Sequence, residues 1–470
     1  MTGETTGHRT DRNRPTRRDF LRLAGAGTLG TGLAVSATEV GAASVGIPTP
    51  WLQREGNLLV DQTGQRVTLR GVNVVDPARA DSAFWRHPVP QTVEHATDPE
   101  RDWYSRIIRV PVQPGGVAGA NSGEPEPGSF SKSDLETYCA DLLDPVVEKC
   151  AERGVYCIVD YHRHRTDDYT TQALHEELLL FWETVAPRYA DRPHVLYEVY
   201  NEPIGPYVGD GQNDDRAMLD DAGEQTWLKW RETAQPWVDA IRDAASDNVV
   251  LIGSPRWSQW TWWAPTNEFS GDNLAYVGHV YTHENLRPLS KYFGEPAADV
   301  PVFISEFGYQ NKRHDGAPVP DFLKGTTSTA GAEFKSFFAE HDHIHWQVWC
   351  FDHSWAPPMF SFDDATHEWT LQGGEDWQGV FFRDLLKELK DDHVPGGTAL
   401  DPIEGTVPVD GDGDGLHEDF NANGRVGFPD VNRFFRHSDT DAVQNHTAAY
   451  DFTGNDKISL QDVMALFQRV

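Results

Sequence analysis

Between residues 51 and about 395 the chain alternates short apolar runs with longer amphipathic stretches, and this alternation restricts its possible folds more than any other feature. The spacing predicts strands at Val67–Val74, Ser105–Val112, Val155–Tyr161, Val195–Tyr200, Val249–Gly253, Leu274–Tyr281, Pro301–Ser305 and Ile344–Phe351. Helical patterns lie between several of them, at Ser133–Arg153, Thr171–Ala190, Asp221–Ser246, Ala330–Glu340 and Asp376–Lys390. Strands alternating with helices build a mainly parallel sheet with its faces covered. Eight such units predict an α/β chain closed into a (β/α)8 TIM barrel. No Gly-x-Gly-x-x-Gly follows the first strand, which weakens an open dinucleotide-binding sheet as the alternative. A hairpin over Asn57–Leu69, turning at Asp61-Gln62-Thr63-Gly64, is expected to cap the barrel floor.

The strand tips carry the chemistry. Tyr197-Glu198-Val199-Tyr200-Asn201-Glu202-Pro203 reads as a buried strand stopped by proline, with a carboxylate at its end beside an amide. Val302-Phe303-Ile304-Ser305-Glu306-Phe307-Gly308 repeats the pattern. Two glutamates at two strand ends are what retaining glycoside hydrolysis requires, one as acid/base and one as nucleophile. Arg109, Asp160 and His162, Trp257, His279 and Tyr281, and Trp349 fall at the same ends of the other strands. In a barrel of this kind active sites sit at that end. Each of these residues alone has an ordinary reading, such as a core histidine, a paired arginine or a packed tryptophan. Their joint occurrence at one end of the barrel is what that reading explains badly.

From about Trp51 to Lys390 the chain resembles glycoside hydrolase family 5, on Arg109, His162, Asn201, Glu202, His279, Tyr281, Glu306 and Trp349 taken in order. The resemblance implies Glu202 as acid/base and Glu306 as nucleophile. Leu251–Gln259 is similar to the fifth-strand segment of bacterial endoglucanases. Two departures leave the substrate open between an endo-β-1,4-glucan, another β-glucan and a mannan. Phe307 stands where many such cellulases have tryptophan, and Trp260-Thr261-Trp262-Trp263 is unusually crowded. A non-catalytic carbohydrate-binding or scaffold-docking protein is the reading from another class, and the two intact glutamates argue against it. Physically, Arg109 and the Tyr281 hydroxyl can hold Glu306 ionised, while burial and the charge of Glu306 favour a protonated Glu202. Asn201 is placed for a sugar 2-hydroxyl, His162 and His279 for hydroxyls and carboxylates, and Trp349 for stacking. Trp257 is expected to touch sugar, and other tryptophans of its cluster to pack the barrel. The Gly/Pro-rich loop Gln113–Gly128 either walls the cleft or lies on the surface. No cofactor is expected for catalysis.

The two ends of the chain read differently. Residues 1–43 resemble a twin-arginine (Tat) export signal: Arg17-Arg18 precedes a Gly/Ala-rich, weakly apolar run, too short and glycine-rich to span a membrane. Secretion, with a cell-surface association left open, follows. The net charge is −33. That charge argues against nucleic acid or an anionic membrane as partner. It suits a protein kept soluble in strong brine, of haloarchaeal type, or an ordinary acidic secreted protein. Cys139, Cys150, Cys157 and Cys350 show no metal spacing and read as buried thiols.

Residues 51–393 form the expected catalytic domain, 394–408 a linker, and 409–470 a small helical calcium-loop module. In that module Asp419, Asn421, Asn423 and Asp430 recur as Asp451, Thr453, Asn455 and Asp462. Oxygen ligands at loop positions 1, 3, 5 and 12 suit calcium. Each loop feeds an amphipathic stretch, with Val431, Phe434 and Phe435 in one and Val463, Leu466 and Phe467 in the other. The two loop–helix repeats resemble a dockerin domain, which implies a cohesin-type or cell-surface protein partner; stabilisation of the C-terminus is the alternative. Asp410, Asp412 and Asp414 offer a further acidic loop for calcium.

Overall fold

The computed structural model describes residues 46–120, 123–164, 166, 168–209, 219–396, 400, 402–409, 416–423, 425–444, 446–455 and 457–470. The expected export signal, and the acidic loop with Asp410, Asp412 and Asp414, lie outside the described residues. A small antiparallel sheet comes first, of β1 (Gln53–Glu55), β2 (Leu58–Val60) and β3 (Arg66–Val67). Eight parallel strands follow: β4 (Arg70–Asn73), β5 (Ile107–Val112), β6 (Tyr156–Tyr161), β7 (Val195–Glu198), β8 (Val250–Ile252), β9 (Leu274–Val280), β10 (Val302–Phe307) and β11 (His345–Val348). They close into a barrel in chain order, β11 pairing with β4. The fold is a (β/α)8 TIM barrel, and each strand falls inside or across its predicted segment.

Period-two alternation sorts each strand between two cores. On β5 and β6, Ile108, Val110, Cys157 and Val159 face outward into the layer shared with the helices, whereas Ile107 and Ile158 fill the barrel interior. Helices Gln172–Val185, Asp221–Ala244, Ala332–Glu340 and Gly379–Glu388 cover the outside, and their fully buried Trp182, Trp230 and Trp237 supply much of that layer. Lys132–Tyr138 and Asp144–Glu152 enclose one π-helical turn, Cys139–Leu143. Inside, Leu196, Leu251, Val277 and Phe303 meet Leu59 and Val67 of the first sheet and Leu52 just before it, which together plug the floor. That sheet turns on Asp61, whose Oδ1 accepts from the backbone N–H of Thr63 (2.8 Å) and Gln65 (3.1 Å). Gly71 of β4 allows the wall to close, because a Cβ there would lie 1.8 Å from the Ile107 carbonyl oxygen. All four cysteines are free and buried. No helix among the described residues is long and apolar enough to cross a membrane.

The C-terminal residues have their own core. Leu400, Ile403, Phe420, Val431, Phe434, Tyr450, Val463 and Leu466 are buried together, against helices Phe428–His437 and Leu460–Arg469. Leu400 and Ile403 come from the segment expected to be linker. At its start, Gln65 donates to the Val394 carbonyl (3.0 Å) and Gly396 N–H to Asp61 (2.9 Å), so that end is tied to the floor sheet. Phe435 and Phe467, expected among the core positions, are 55% and 49% exposed. On helices this short, Val431/Phe434 and Val463/Leu466 already fill the inward stripe, and the following aromatic turns out.

Candidate active site

Glu306 reaches the interior through a bulge. Phe303 pairs with Val277 but Glu306 with His279, so β10 spends three residues where β9 spends two. The same shift appears against β11. Plain alternation from the inward Phe303 would turn position 306 outward; one extra residue turns it in, beside His279. Glu306 then accepts a hydrogen bond from the Tyr281 hydroxyl through Oε1 and lies 3.4 Å from Arg109 Nη1 through Oε2. Burial and the Glu306 charge push the Tyr281 phenol well up, so it stays a donor.

Arg109 is fully buried and belongs to a polar layer above the apolar interior. Its guanidinium grips Glu198 twice, at 2.8 and 2.7 Å, and donates to Asn201 Oδ1 (2.7 Å) and Asn73 Oδ1 (3.1 Å). It also pairs with Asp160 at 3.0 Å. Burial would raise the Glu198 carboxyl, but Arg109 and His279 outweigh it and hold it at about 2. A buried bidentate pair of this kind orients the guanidinium as well as neutralising it.

Glu202 sits past the end of β7 on an irregular turn, its N–H donating to the Arg163 carbonyl at 3.3 Å. His279 Nδ1 lies 3.1 Å from Glu202 Oε1 and 3.9 Å from Glu306 Oε2, while its Nε2 lies 3.0 Å from Ser305 Oγ. Burial pulls this histidine down, but Glu306, Glu198 and Glu202 together carry it to about 9. One oxygen of Glu202, one ring nitrogen of His279 and one oxygen of Glu306 lie within 4.8 Å of one another. Such a trio has the reach of a metal site. Both His279 ring nitrogens, however, are already engaged by the protein, Nδ1 with Glu202 at 3.1 Å and Nε2 with Ser305 Oγ at 3.0 Å.

These residues open into a cavity of about 550 Å³. Asn201, Glu202, Tyr281 and Glu306 lie in its wall with His162, Trp349 and Trp355. The rings of His162, Trp349 and Trp355 run nearly parallel, Trp349 lying 5.7 Å from His162 and 5.5 Å from Trp355. Burial and the Arg109 charge lower His162 to about 4. A neutral ring with Nδ1 2.7 Å from Asp160 Oδ2 keeps Nε2 as an acceptor. The loop Gln113–Gly128 contributes Gln113, Gly123 and Glu124 to the wall. Two arginines strap it there: Arg79 donates to the carbonyls of Ala120 and Gly123, both at 2.8 Å, and Arg163 to that of Pro125 at 2.8 Å. Trp257 is 38% exposed but is not among the lining residues. It stands in a left-handed turn (Arg256 φ 60°, Trp257 φ 55°, Ser258 φ 56°). That turn is pinned under Glu202 by Trp257 N–H to the Pro203 carbonyl (2.9 Å) and Ser258 Oγ to the Asn201 carbonyl (2.6 Å). Trp260 is packed in the core, as expected for part of its cluster.

Several residues of the site do not stand out in the sequence. Glu198 carries a usable signal, since a lone carboxylate inside an apolar strand demands a buried cation. Arg79, Arg86, Glu124 and Phe322 carry none, because only the folded loops bring them to the cavity.

In the C-terminal loops the two repeats share one bonding pattern. Asp430 Oδ1 accepts from the N–H of Asn421 (3.1 Å), and Asp462 Oδ1 from the N–H of Thr453 (3.0 Å). The Thr453 hydroxyl also bridges Asp451 (3.1 Å) and Asp462 (2.8 Å). Asp419 Oδ1 accepts from Asn423 N–H (3.2 Å), which closes the first loop on itself. Carboxylate, amide and hydroxyl oxygens make up the side-chain donor set, which fits a hard cation.

The cellulase model of glycosyl hydrolase family 5 matches residues 60–354. An endoglucanase of Halalkalibacter akibai is 26% identical over 314 residues, which are 62% of this chain and 34% of the relative. Endoglucanase Z of Dickeya dadantii is 25% identical over 232 residues, 48% of this chain and 45% of the relative. The chain therefore spans less than half the length of these curated relatives. Among solved structures, a beta-glucanase from Saccharophagus degradans matches with a TM-score of 0.55 and 22% identity, over 73% of this chain and 95% of its own. The catalytic domain of Thermobifida fusca endoglucanase Cel5A matches at 0.53 and 20%, over 72% and 98%. Those two likenesses establish the barrel. Matched by the family model over more than half its length, and with two glutamates facing each other at the strand ends, the chain belongs to glycosyl hydrolase family 5.

Proposed function

We propose that the protein is a secreted, retaining endo-β-1,4-glucanase carrying a calcium-loop module. The observation that carries this reading is the pair of carboxylates with oxygens within 4.8 Å of each other across a cavity. Retaining enzymes hold their two carboxyl groups roughly 5–5.5 Å apart and inverting ones roughly 6.5–9.5 Å apart. Glu306, aimed by Tyr281 and Arg109, attacks the anomeric carbon as the bond to the leaving oxygen breaks. Glu202 gives that oxygen its proton, then takes one from the water that releases the sugar. The 3.1 Å contact puts His279 within hydrogen-bond reach of Glu202, so it can position the acid/base carboxyl and pass it a proton. Asn201, fixed by Arg109, meets the 2-hydroxyl, and Trp349 stacks on the ring.

Glucan rather than mannan is supported by the names its relatives carry, endoglucanases and a beta-glucanase, the latter also solved with cellotetraose. Export rests on the Arg17-Arg18 segment, and salt adaptation on the net charge of −33. Calcium, when bound, would be held by Asp419, Asn421, Asn423 and Asp430 and by Asp451, Thr453, Asn455 and Asp462. The exposed Phe435 and Phe467 at equivalent places in the two repeats support a dockerin-like docking role. The test is to incubate the mature chain, in concentrated salt with calcium, with soluble cellulose, mixed-linkage glucan and mannan. Reducing ends and the first-formed anomer are followed. Release of β-anomers from the glucans, abolished in Glu306→Ala, is expected; α-anomers first would overturn retention, and release mainly from mannan the substrate.

A further inference from the structure

Outside the cavity the barrel face exposes aromatic side chains that the reaction does not use. Phe84 is 69% and Trp85 40% exposed. Their rings meet edge to face at 4.7 Å. Trp369, on the strand Trp369–Leu371 of a hairpin that follows β11, donates its indole N–H to the Trp85 carbonyl at 3.0 Å. Two segments, one after β4 and one after the adjacent β11, thus build one shelf at the C-terminal end of the barrel. The shelf is joined to the active-site wall. Arg86, next in the chain, lines the cavity, grips Asp352 at 3.2 and 2.8 Å, and lies 5.4 Å over the ring of Trp355, which lines the cavity too.

We propose that Phe84 and Trp85, with Trp369 holding the Trp85 backbone, form a glycan-binding shelf that carries a neutral β-linked polymer where it leaves the cavity. This rests on the reading of the site as a β-glucanase. The occupant follows from continuity and charge. Trp349 and Trp355 stack as parallel rings, Arg86 lies over Trp355, and Trp85 of the shelf precedes Arg86 in the chain. Flat aromatic faces suit the C–H face of a sugar ring, and a contiguous exposed apolar patch marks a binding surface. Exposed Asp363, Asp364 and Glu368 rim the hairpin. They oppose an anionic partner, whereas a neutral polysaccharide meets no such repulsion.

The test compares wild type with Phe84→Ser/Trp85→Ser, on the full chain in concentrated salt. kcat/KM is measured on soluble cellulose and on an aryl cellobioside short enough to occupy the cavity alone. Losing two stacking faces is expected to lower the polymer-to-short-substrate ratio of kcat/KM about tenfold, mostly through KM. Phe84→Ser alone, at a largely exposed ring, is expected to lower it by a smaller factor in the same direction. An unchanged ratio in both variants, with wild type active on cellulose, overturns the shelf. So does a concentration-dependent dimer, seen by sedimentation without glycan and lost in the double variant. Wild type inactive on every β-glucan would instead overturn the reading on which the shelf rests.

Discussion

His279 offers the sharpest test of the polar layer, because its charge answers to pH in an accessible range. It is buried, lies 3.1 Å from Glu202, 3.9 Å from Glu306 and 3.7 Å from Glu198, and is raised from an ordinary 6.5 to about 9. The folded state therefore binds the proton more tightly than the unfolded chain. The resulting stabilisation is full below pH 6.5 and is lost as pH rises through 9. A displacement from 6.5 to about 9 is worth about 3 kcal/mol at 1.36 kcal/mol per pH unit. His279→Gln keeps polar contacts to Glu202 and Ser305 and removes the titration. Urea unfolding of both proteins, followed by tryptophan fluorescence, measures the difference across this range. All 16 tryptophans lie between residues 51 and 377, so the signal reports the barrel and not the C-terminal module. The stability difference between wild type and variant is expected to narrow by about 3 kcal/mol between pH 6.5 and 9. A difference that stays flat across that interval would refute the assignment of a cationic His279.

Three further outcomes follow from the same geometry. Glu202→Gln should lower kcat on cellulose by about 10²–10⁴, the usual share of general acid–base catalysis. The loss in the first step should be far smaller on a dinitrophenyl cellobioside, whose leaving group needs no proton; equal losses in both would remove Glu202 as the acid. Tyr281→Phe deletes a hydrogen bond to ionised Glu306, worth about 1.5–3 kcal/mol, and kcat/KM should fall roughly 10–150-fold. A change below twofold would show that Tyr281 does not hold the nucleophile. Chelation of calcium should unfold residues 409–470, seen as lost protection of Phe434 and Leu466 amides from hydrogen exchange, while the barrel fluorescence stays unchanged. Full protection of those amides in chelator would sink the calcium assignment.

The barrel was legible because its information is local. Each strand is a short apolar run, and parallel strands buried on both sides read that way wherever they occur. The site was legible in kind, since charged and aromatic residues gathered at the ends of apolar runs are rarely there for packing alone. Its geometry was not. The bulge in β10 adds one residue between Phe303 and Glu306, and nothing in Ser305-Glu306-Phe307 announces which way that residue turns. Glu198 announces in the sequence that it needs a buried cation, but that the cation is Arg109 is known only once the pleat turns both side chains inward. Glu124 reaches the cavity because its loop is held from both sides, by Arg79, which lies 44 residues before Gly123, and by Arg163, which lies 39 residues after Glu124. Contacts of that kind have no local signature. The outward turn of Phe435 and Phe467 was lost for another reason: a ten-residue helix has room for only one inward stripe, and three apolar residues so close together overfill it.

The same layer links the two halves of the proposed reaction. Among the contributions that raise His279, the Glu306 charge is the largest single one, followed by the hydrogen bonds to Glu198 and Glu202. In the glycosyl-enzyme intermediate the Glu306 carboxylate becomes a neutral ester, and that charge is gone. Arg109 keeps its bidentate partner Glu198 and is little affected. His279 loses that contribution while burial still disfavours its cation, so it should give up its proton more readily once the intermediate forms. Glu202, 3.1 Å away, is then the group that must gain a proton from water, and a weakened cation beside it favours that gain. The order of charge changes thus follows the order of the chemistry. Trapping the intermediate with a 2-fluoro glycoside makes this measurable. The His279 ring, followed by NMR of histidine-labelled protein, is expected to titrate below its free-enzyme value of about 9 in the trapped form. An unchanged midpoint would mean that Glu306 does not govern His279, and that the two carboxylates act without this coupling.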